Sequence, residues 1–292
     1  MEEADGLLVW HAEIDKKIIA KLKRCKAIVR YGVGCDNIDL LSARKFNIDC
    51  ANTPDYGIDE VADTALAMIL SLSRKILQYN ENCKYYKSGW QENVLKENIS
   101  NSIKRTSDHY LGIIGAGRIG SVIALRMKSF GVKVGFYDPY VSSGYEKVLG
   151  VKRFRSLNEL AKNCTIISIN SILTKETLGM INKKFINSLK KGTILINTAR
   201  GGIVNKLDDL YYGLKKGTLG GVGLDVLPDE PPKKSEKLIK SWTNLKDPIN
   251  KKIIINPHAG YYSSTSVIEM RVKAAENLKR IFGGLQLRNI VN

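Results

Sequence analysis

The chain has 292 residues, of which 43% are hydrophobic and 26% are charged, a composition typical of folded globular proteins rather than disordered, collagen-like or membrane-embedded ones. Its formal net charge is +17, but its 33 lysines and 13 arginines are spread along the chain as single residues and pairs. Proteins that read nucleic acids depend on arginine and on basic clusters. We therefore interpret the charge as a solvated surface and rank nucleic-acid binding last among the hypotheses.

Cysteine spacing and hydropathy indicate the cellular setting. The cysteines are odd in number and never approach C-x-x-C spacing, lying at Cys25, Cys35, Cys50, Cys83 and Cys164. This pattern predicts reduced thiols in a cytoplasmic protein, with neither a disulfide framework nor a bound metal. The first ten residues contain acids but no lysine or arginine, so we expect no secretory signal. No stretch approaches the ~20 apolar residues of a membrane-spanning helix, which predicts no membrane partner.

The chain up to residue 55 has the hydrophobic pattern of a short α/β segment. The predicted strands of this segment span 7–10, 27–30 and 48–51. Between the first two strands, Ile14, Ile18 and Leu22 share one face of a predicted helix. The third strand ends before Pro54, because the residue before a proline disfavours the helical conformation.

A single long helix is predicted after Pro54, from about Asp59 to Gln78, because apolar residues recur there at helical spacing. The polar stretch 80–109 follows and shows little periodicity. Connections of this length are typically used for function or assembly, so we interpret the stretch as an arm.

From residue 111 onward, short apolar runs alternate with amphipathic ones. The apolar runs predict strands at 111–115, 132–137, 165–169, 193–198, 221–226 and 253–256. The amphipathic segments predict helices at 119–130, 183–190 and 207–214. Repeated strand–helix–strand units form a doubly wound parallel sheet with helices on both faces. The predicted fold class is therefore α/β, with the sheet of a Rossmann domain.

A G-x-G-x-x-G sequence leaves the first of these strands and opens the next helix, with its glycines at Gly115, Gly117 and Gly120. In such a turn the first glycine permits the bend, the second lets the backbone approach a pyrophosphate, and the third allows close helix–strand packing. Asp138 lies 18 residues after Gly120, at the end of the next strand. A carboxylate there accepts hydrogen bonds from the adenosine ribose and repels a 2′-phosphate. The sequence therefore predicts NAD, in preference to NADP, as the cofactor.

Three later segments place polar residues directly after predicted strands, at 197–202, 225–231 and 256–262. Open α/β sheets bind ligands at that edge, and the segments supply Arg200, Glu230 and His258. A carboxylate beside an imidazole orients the ring and favours its protonated form, which suits a proton donor near neutral pH. Arginine is a two-pronged donor for a carboxylate. Together the three residues favour catalysis over three unrelated surface charges.

The chain resembles the D-isomer-specific 2-hydroxyacid dehydrogenases over nearly its whole length. The matching stretches are GVGCDNID (32–39), EVADTALAMIL (60–70), LGIIGAGRIG (111–120), INTARGGIV (196–204), GLDVLPDEPP (223–232) and NPHAGYYS (256–263). Within the family, the last stretch and SVIEMRVKAAENL (266–278) are most similar to the branch that contains the C-terminal-binding proteins.

The resemblance implies catalytic and cofactor-binding roles for the matching residues. Arg200 is expected to bind the substrate carboxylate and carbonyl, with His258 as the acid/base and Glu230 as its partner. Asp225 is expected to hold the nicotinamide carboxamide. The other implied cofactor contacts are Arg118 and Ile119 at the pyrophosphate, and Ser171, Thr198 and Ala199 along the cofactor.

Substrate contacts are implied as well. They fall on Arg30, on the backbone N–H groups of Val33 and Gly34, and on Tyr261, where the branch commonly has tryptophan. The resemblance also shows a departure beside the cofactor, because Asn170 stands where a histidine is frequent.

The family further implies a discontinuous layout. A smaller flavodoxin-like α/β substrate domain is expected to take residues 1–53 and 266–292, with the Rossmann NAD-binding domain, residues 54–265, inserted between them. Members usually begin with a further strand and helix, so the N-terminus looks short by comparison. The helix after Pro54 and the arm are expected to support a homodimer. The Lys-rich segment 233–252 is expected to be a loop that covers the cleft or contacts a partner.

Two functions from different classes fit these residues. The first is an NAD-dependent enzyme that interconverts a 2-keto acid and a D-2-hydroxy acid. The second is a scaffold of the C-terminal-binding-protein type, in which NAD(H) stabilises a dimer that recruits partners. The complete set of Arg200, Glu230 and His258 favours the enzyme, although the scaffold branch also keeps these residues.

Overall fold

A computed structural model of the chain describes residues 2–84 and 103–292. The chain divides into two compact units, one formed by Met1–Glu60 with Tyr261–Asn292 and the other by Val61–Gly260. The domains predicted from the sequence, 1–53 with 266–292 and 54–265, differ from these bounds by seven residues at the first junction and five at the second. The substrate and cofactor roles assigned to the two domains stay predictions.

The discontinuous unit contains a three-stranded parallel sheet in the order β1-β2-β3. Its elements are β1 (Gly6–Val9), α1 (Lys16–Ile19), β2 (Ala27–Arg30), α2 (Leu40–Lys45), β3 (Asp49–Ala51) and α11 (Ser264–Phe282). Side chains alternate along a strand, so Ala27 and Val29 share a core with Ala274 of α11, whereas Ile28 faces a second core with Ile19. Helix α11 begins with a capping box between Ser263 and Ser266, which satisfies backbone N–H groups at its first turn.

The continuous unit contains a seven-stranded sheet in the order β10-β9-β8-β7-β4-β5-β6, and all its pairs are parallel. The strands are β4 (Tyr110–Ile114), β5 (Lys133–Tyr137), β6 (Lys152–Arg153), β7 (Ile166–Ile169), β8 (Thr193–Asn197), β9 (Leu219–Leu224) and β10 (Ile253–Ile255). The remaining helices are α3 (Ile58–Ser73), α4 (Ile76–Cys83), α5 (Arg118–Ser129), α6 (Tyr145–Leu149), α7 (Leu157–Asn163), α8 (Lys183–Ser188), α9 (Leu207–Lys216) and α10 (Lys237–Thr243).

Both faces of this sheet are buried under helices. On one face Leu195 packs in a core with Leu210 of α9, and on the other Ile194 packs in a core with Ile69 of α3 and Ile123 of α5. The predicted doubly wound α/β fold is confirmed. Since all the strands are parallel, their carboxyl ends meet at one edge of the sheet, where such folds bind ligands.

The predicted single helix over 59–78 is wrong, because the structure divides this stretch into α3 and α4. Lys75 adopts a left-handed backbone conformation with φ 57°, which ends one helix and precedes the next. Leu72 and Ile76 keep a helical spacing across the break, so the apolar pattern continues through it. Hydrophobic periodicity cannot detect that the backbone of a single residue, Lys75, is left-handed. Of the predicted arm at 80–109, residues 85–102 lie outside the described chain.

The Lys-rich segment 233–252 was expected to be a loop, and part of it is helical. It contains α10 and a 3₁₀ turn at Asn250–Lys252. Leu238 and Ile239 of α10 are 0% and 4% exposed, so the helix forms by burying an apolar stripe against the core. The high lysine content of the segment hid this stripe in the sequence.

Candidate functional site

The glycine turn links β4 to α5, with Gly117 as the N-cap residue of the helix. Gly115 has φ +92°, and a Cβ there would lie 2.7 Å from the backbone N of Ser171. A Cβ on Gly120 would lie 2.1 Å from the carbonyl O of Gly115. At Gly117, by contrast, a Cβ would meet nothing within 4 Å. Two of the glycines are therefore required by the protein itself, whereas the third leaves open space before the first N–H groups of a helix, where anions bind.

Asp138 follows β5 and lies beside this turn. Its Oδ2 accepts a hydrogen bond from the N–H of Ala116 at 2.9 Å, and its Oδ1 accepts one from the N–H of Tyr140 at 2.8 Å. The two bonds fix the carboxylate at the carboxyl end of the sheet. A fixed negative charge there suits a ribose diol and disfavours a phosphate.

Two hydroxyl groups at the same edge of the sheet are buried without a partner. Ser171 Oγ lies in the loop after β7 and Thr198 Oγ1 directly follows β8, and within the described residues neither atom makes a hydrogen bond. A buried polar group left without a partner costs about 1–3 kcal/mol, so such groups call for an explanation. Strands β8, β7 and β4 are neighbours. These hydroxyls and the glycine turn therefore fit a polar ligand that extends along this edge, as a dinucleotide does.

Asn197, the last residue of β8, shapes the loop that holds Arg200. The Asn197 Oδ1 accepts a hydrogen bond from the N–H of Ala199 at 3.0 Å, and its Nδ2 donates to the carbonyl O of Arg200 at 2.9 Å. A Cβ on Gly201 would lie 1.9 Å from the carbonyl O of Leu227, so the loops after β8 and β9 touch there. Neither Asn197 nor Gly201 was predicted as a residue of the site, although an asparagine at a strand end and a Gly-Gly pair are signals for a tight loop.

Asp225 follows β9 and is 3% exposed. Its carboxylate accepts hydrogen bonds from the N–H groups of Ala259 at 3.1 Å and Gly260 at 2.9 Å, and its carbonyl O accepts one from the N–H of His258 at 2.8 Å. Burial raises the pKa of the Asp225 carboxyl, and the hydrogen bond from Gly260 opposes that rise. Asp225 thus positions the turn that contains His258, and a Cβ on Gly260 would lie 2.6 Å from its Oδ2.

His258 and Glu230 form a direct pair, with 2.8 Å between His258 Nδ1 and Glu230 Oε2. The Glu230 Oε1 also accepts a hydrogen bond from the N–H of Leu227 at 2.9 Å. Burial raises the pKa of Glu230, but the bonds from His258 and Leu227 and the charge of Arg200 outweigh it, so the net pKa lies below its ordinary value. A charged carboxylate accepts a hydrogen bond from the Nδ1–H group and leaves Nε2 as the imidazole nitrogen for proton transfer.

The residues predicted to contact substrate, Arg30, Val33, Gly34 and Tyr261, lie in the discontinuous unit. Arg30 ends β2 and donates a hydrogen bond to the carbonyl O of Tyr31. The turn that follows is held by Asn52, whose Nδ2 donates to the carbonyl O of Val33 at 2.7 Å. Tyr261 packs edge-on against Tyr56, with 6.0 Å between the ring centroids. Arg200, Glu230 and His258 lie in the continuous unit, where the structure gathers them at one edge of the sheet.

Comparison with known proteins identifies relatives along the whole chain. A family model described as the D-isomer specific 2-hydroxyacid dehydrogenase, NAD binding domain, matches residues 66–260. C-terminal-binding protein 1 of Caenorhabditis elegans is 30% identical over 287 residues, which are 97% of this chain and 38% of that protein. D-3-phosphoglycerate dehydrogenase of Methanocaldococcus jannaschii is 31% identical over 293 residues, which are 100% of this chain and 52% of that protein.

A solved structure shows the same fold. D-lactate dehydrogenase of Aquifex aeolicus, crystallised with NAD and lactic acid, has a TM-score of 0.83 and 31% identity to this chain. The match covers 97% of this chain and 84% of that one. The two curated relatives are longer proteins, and the chain spans 38% and 52% of their lengths. Within residues 2–84 and 103–292, no helix is long and apolar enough to cross a membrane, and no three or more His, Cys, Asp or Glu side chains form a metal cluster.

Proposed function

The chain belongs to the D-isomer-specific 2-hydroxyacid dehydrogenases, with residues 66–260 as its NAD-binding domain, and from that premise we propose that it is an NAD-dependent oxidoreductase. The reaction is 2-keto acid plus NADH and a proton to D-2-hydroxy acid plus NAD⁺, or its reverse. The observation that supports this most is the His258–Glu230 hydrogen bond of 2.8 Å. It lies at the edge of the sheet that also holds the dinucleotide turn.

Each part of the cofactor is assigned to particular residues of the chain. The backbone at Gly115, Gly117, Gly120, Arg118 and Ile119 holds the pyrophosphate at the start of α5, and Asp138 holds the adenosine ribose. Ser171, Thr198 and Ala199 line the cofactor, and Asp225 holds the nicotinamide carboxamide. When bound, NADH supplies the hydride for C2 of the substrate, and NAD⁺ accepts it in the reverse direction.

Side chains of the protein transfer the proton and stabilise the negative charge that develops on the substrate. In the reducing direction His258 donates a proton from Nε2 to the substrate carbonyl oxygen, and Glu230 keeps the other ring nitrogen protonated. Arg200 binds the substrate carboxylate and stabilises the negative charge that develops on the carbonyl oxygen. Arg30, the N–H groups of Val33 and Gly34, and Tyr261 contribute to substrate binding.

The proposal is tested by NADH consumption with a panel of 2-keto acids and by the chirality of the product. We expect turnover with at least one member and formation of the D-isomer. The matched control is His258→Asn, which keeps a residue tolerant of the left-handed backbone at this position, φ 54°. If no 2-keto acid is reduced, or if the variant reduces it as fast as the wild type, the proposal is wrong.

A second candidate function is the NAD(H)-sensing scaffold. The observation in its favour is the 30% identity to a C-terminal-binding protein over 97% of this chain. Turnover separates the two functions, since a scaffold needs cofactor binding without efficient reduction of any 2-keto acid. NADH binding with no turnover across the panel would support the scaffold.

We also propose that the protein is a cytoplasmic homodimer. Helix α4 buries none of its side chains, and Ile76 and Leu77 are 51% and 41% exposed, so a second copy is the expected cover for them. No disulfide bond joins any of the five cysteines within the described residues, which fits a reducing compartment. Light scattering of the wild type should give twice the mass of one chain, and the measured mass should be lower for Leu77→Lys. Cell fractionation tests the compartment.

A further inference from the structure

A cavity of about 360 Å³ adjoins the His258–Glu230 pair, and both residues form part of its wall. The rest of the wall is mainly apolar, with Leu227, Pro231, Pro232, Trp242, Ile255 and Pro257, and Asn256 is its one further polar residue. Pockets that hold small ligands have volumes of roughly 300–1,000 Å³ and are mostly apolar, with a few polar groups that fix orientation. The cavity therefore has the size and lining of a ligand site, and its polar groups include the proposed proton donor.

Trp242 is held in place by the end of α10. The indole packs against the core of the continuous unit, next to the buried Leu238 and Ile239. Asn250 donates a hydrogen bond to the carbonyl O of Trp242, and Ser241 Oγ donates to Asp247 Oδ2 at 2.7 Å. These contacts fix the helix end, so the indole forms a rigid wall. Rigid aromatic side chains supply large contact areas at a low entropy cost.

A further part of the wall comes from the edge of the sheet. Within the described sheet β10 is the outermost strand, and its last residue, Ile255, is partly buried and faces the cavity. The prolines of the two adjoining loops have fixed φ angles and add apolar surface without flexible side chains. The cavity is thus preformed.

We propose that this cavity, which we name the Trp242 cavity, binds the side chain of the substrate, and that the protein prefers 2-keto acids with aromatic or large branched apolar side chains. The inference depends on the proposed function, because it takes His258 as the proton donor. A carbonyl oxygen within about 2.6–3.2 Å of the imidazole places the neighbouring substituent only a few bonds from a cavity that the same imidazole lines. Trp242 is then a residue that determines specificity.

The same wall predicts which side chains are rejected. Glu230 is held in its charged form and lines the cavity, so a second carboxylate on the substrate would meet a like charge in an apolar surrounding. Each methylene that enters an apolar pocket raises specificity by about 10-fold or more. The expected order of kcat/KM is phenylpyruvate above 2-ketoisocaproate above pyruvate, with 2-ketoglutarate last.

The first experiment measures kcat/KM for phenylpyruvate and pyruvate with NADH in the wild type and in Trp242→Ala. We expect the phenylpyruvate-to-pyruvate ratio to exceed about tenfold in the wild type and to fall at least about tenfold in the variant, mainly through KM. Ile255→Phe, which places a larger side chain in the cavity wall, should also lower the ratio. The matched control is Trp10→Ala, a tryptophan of the discontinuous unit that does not line the cavity, and it should leave the ratio unchanged.

The second experiment measures phenylpyruvate binding by calorimetry, without turnover, in the wild type and in Trp242→Ala. At least about tenfold weaker binding in the variant supports the Trp242 cavity, and equal binding overturns it. Pyruvate reduction without a preference for phenylpyruvate, or an unchanged ratio in both cavity variants, overturns the inference but keeps the proposed function. Failure to reduce any 2-keto acid overturns the proposed function, and calorimetry then decides on the cavity alone.

Discussion

The glycine turn at residues 115–120, proposed to bind the dinucleotide, and the His258–Glu230 pair, proposed as the acid–base pair, lie at the same edge of one parallel sheet. They are built from different chemical groups. The turn is a backbone structure, in which a Cβ on Gly115 or Gly120 would come within 2.7 or 2.1 Å of other backbone atoms. The acid–base pair is made of two side chains, His258 and Glu230, on loops after neighbouring strands. The first depends on spacing within one segment, whereas the second depends on which strands are neighbours.

This difference predicts different responses to substitution. Changes in the turn should alter folding and cofactor affinity, because its backbone geometry serves both. Changes in the acid–base pair should alter turnover and leave cofactor affinity almost unchanged, because its side chains are partly exposed and the turn that contains His258 is held by Asp225.

The largest effect is expected for His258→Asn. Removing the proposed proton donor should lower kcat by about 10²–10⁴-fold, while NADH affinity, measured by fluorescence titration, stays within about twofold of the wild type. Asparagine is chosen because His258 has φ 54°, a conformation that asparagine tolerates better than alanine. Unchanged kcat would remove His258 from the mechanism, and a large loss of NADH affinity would contradict the separation of the two regions.

The next effect is expected for Gly120→Ala, with Gly117→Ala as its matched control. The new Cβ at residue 120 would lie 2.1 Å from the Gly115 carbonyl O, whereas at residue 117 it would meet nothing within 4 Å. We expect the first variant to lose about 1–3 kcal/mol of unfolding free energy. The second should stay within about 0.5 kcal/mol of the wild type but bind NADH more weakly, because its methyl group occupies the space proposed for the pyrophosphate.

Urea unfolding without cofactor, followed by NADH titration, measures both quantities for the two glycine variants. Equal destabilisation of the two variants would show that the turn is not held by the contact between Gly120 and Gly115. Unchanged NADH affinity in Gly117→Ala would move the pyrophosphate away from the turn.

A smaller effect is expected for Asp138→Ala. Hydrogen bonds to charged groups contribute about 1.5–3 kcal/mol, so NADH affinity should fall about tenfold or more, and the preference for NADH over NADPH should narrow. Asp138→Asn is the matched control, since it keeps an acceptor for the N–H of Ala116 and removes only the charge. The measurement is a binding titration with NADH and with NADPH. Equal affinity of the wild type for the two cofactors would contradict the assignment of Asp138 to the adenosine ribose.

The turn could be predicted from the sequence almost completely, and the acid–base pair only in part. Gly115, Gly117, Gly120 and Asp138 lie in one strand–helix–strand unit, so their spacing alone predicted their common position. His258 and Glu230 could be predicted because each follows a strand in a parallel sheet, and the structure places them in hydrogen-bond contact.

The residues that hold this pair in place could not be predicted, for a physical reason. Gly201 and Gly260 are required by contacts with Leu227 and Asp225 of other loops, and no local spacing contains that information. The break at Lys75 was missed because the apolar pattern continues through it. Helix α10, which supplies Trp242, was missed because its lysines outweigh its short apolar stripe.

The smallest effect is a pH dependence of stability from Glu230. Because its net pKa is lowered in the folded protein, the folded state holds the charged form more tightly than the unfolded chain does. This contribution is fully present above the unfolded pKa, about 4.3 for glutamic acid, and is lost as the pH falls through the lower folded pKa. Since the side chain is 39% exposed, solvent screens the interaction and the contribution is small. The difference in unfolding free energy between the wild type and Glu230→Gln should therefore shrink as the pH falls below about 4.3. Glu276→Gln, which removes an exposed carboxylate of α11, corrects for the loss of one charge. A difference that grows as the pH falls below about 4.3 would mean that the carboxylate is destabilised in the folded protein, and Glu230 could not then hold the proton on Nδ1 of His258.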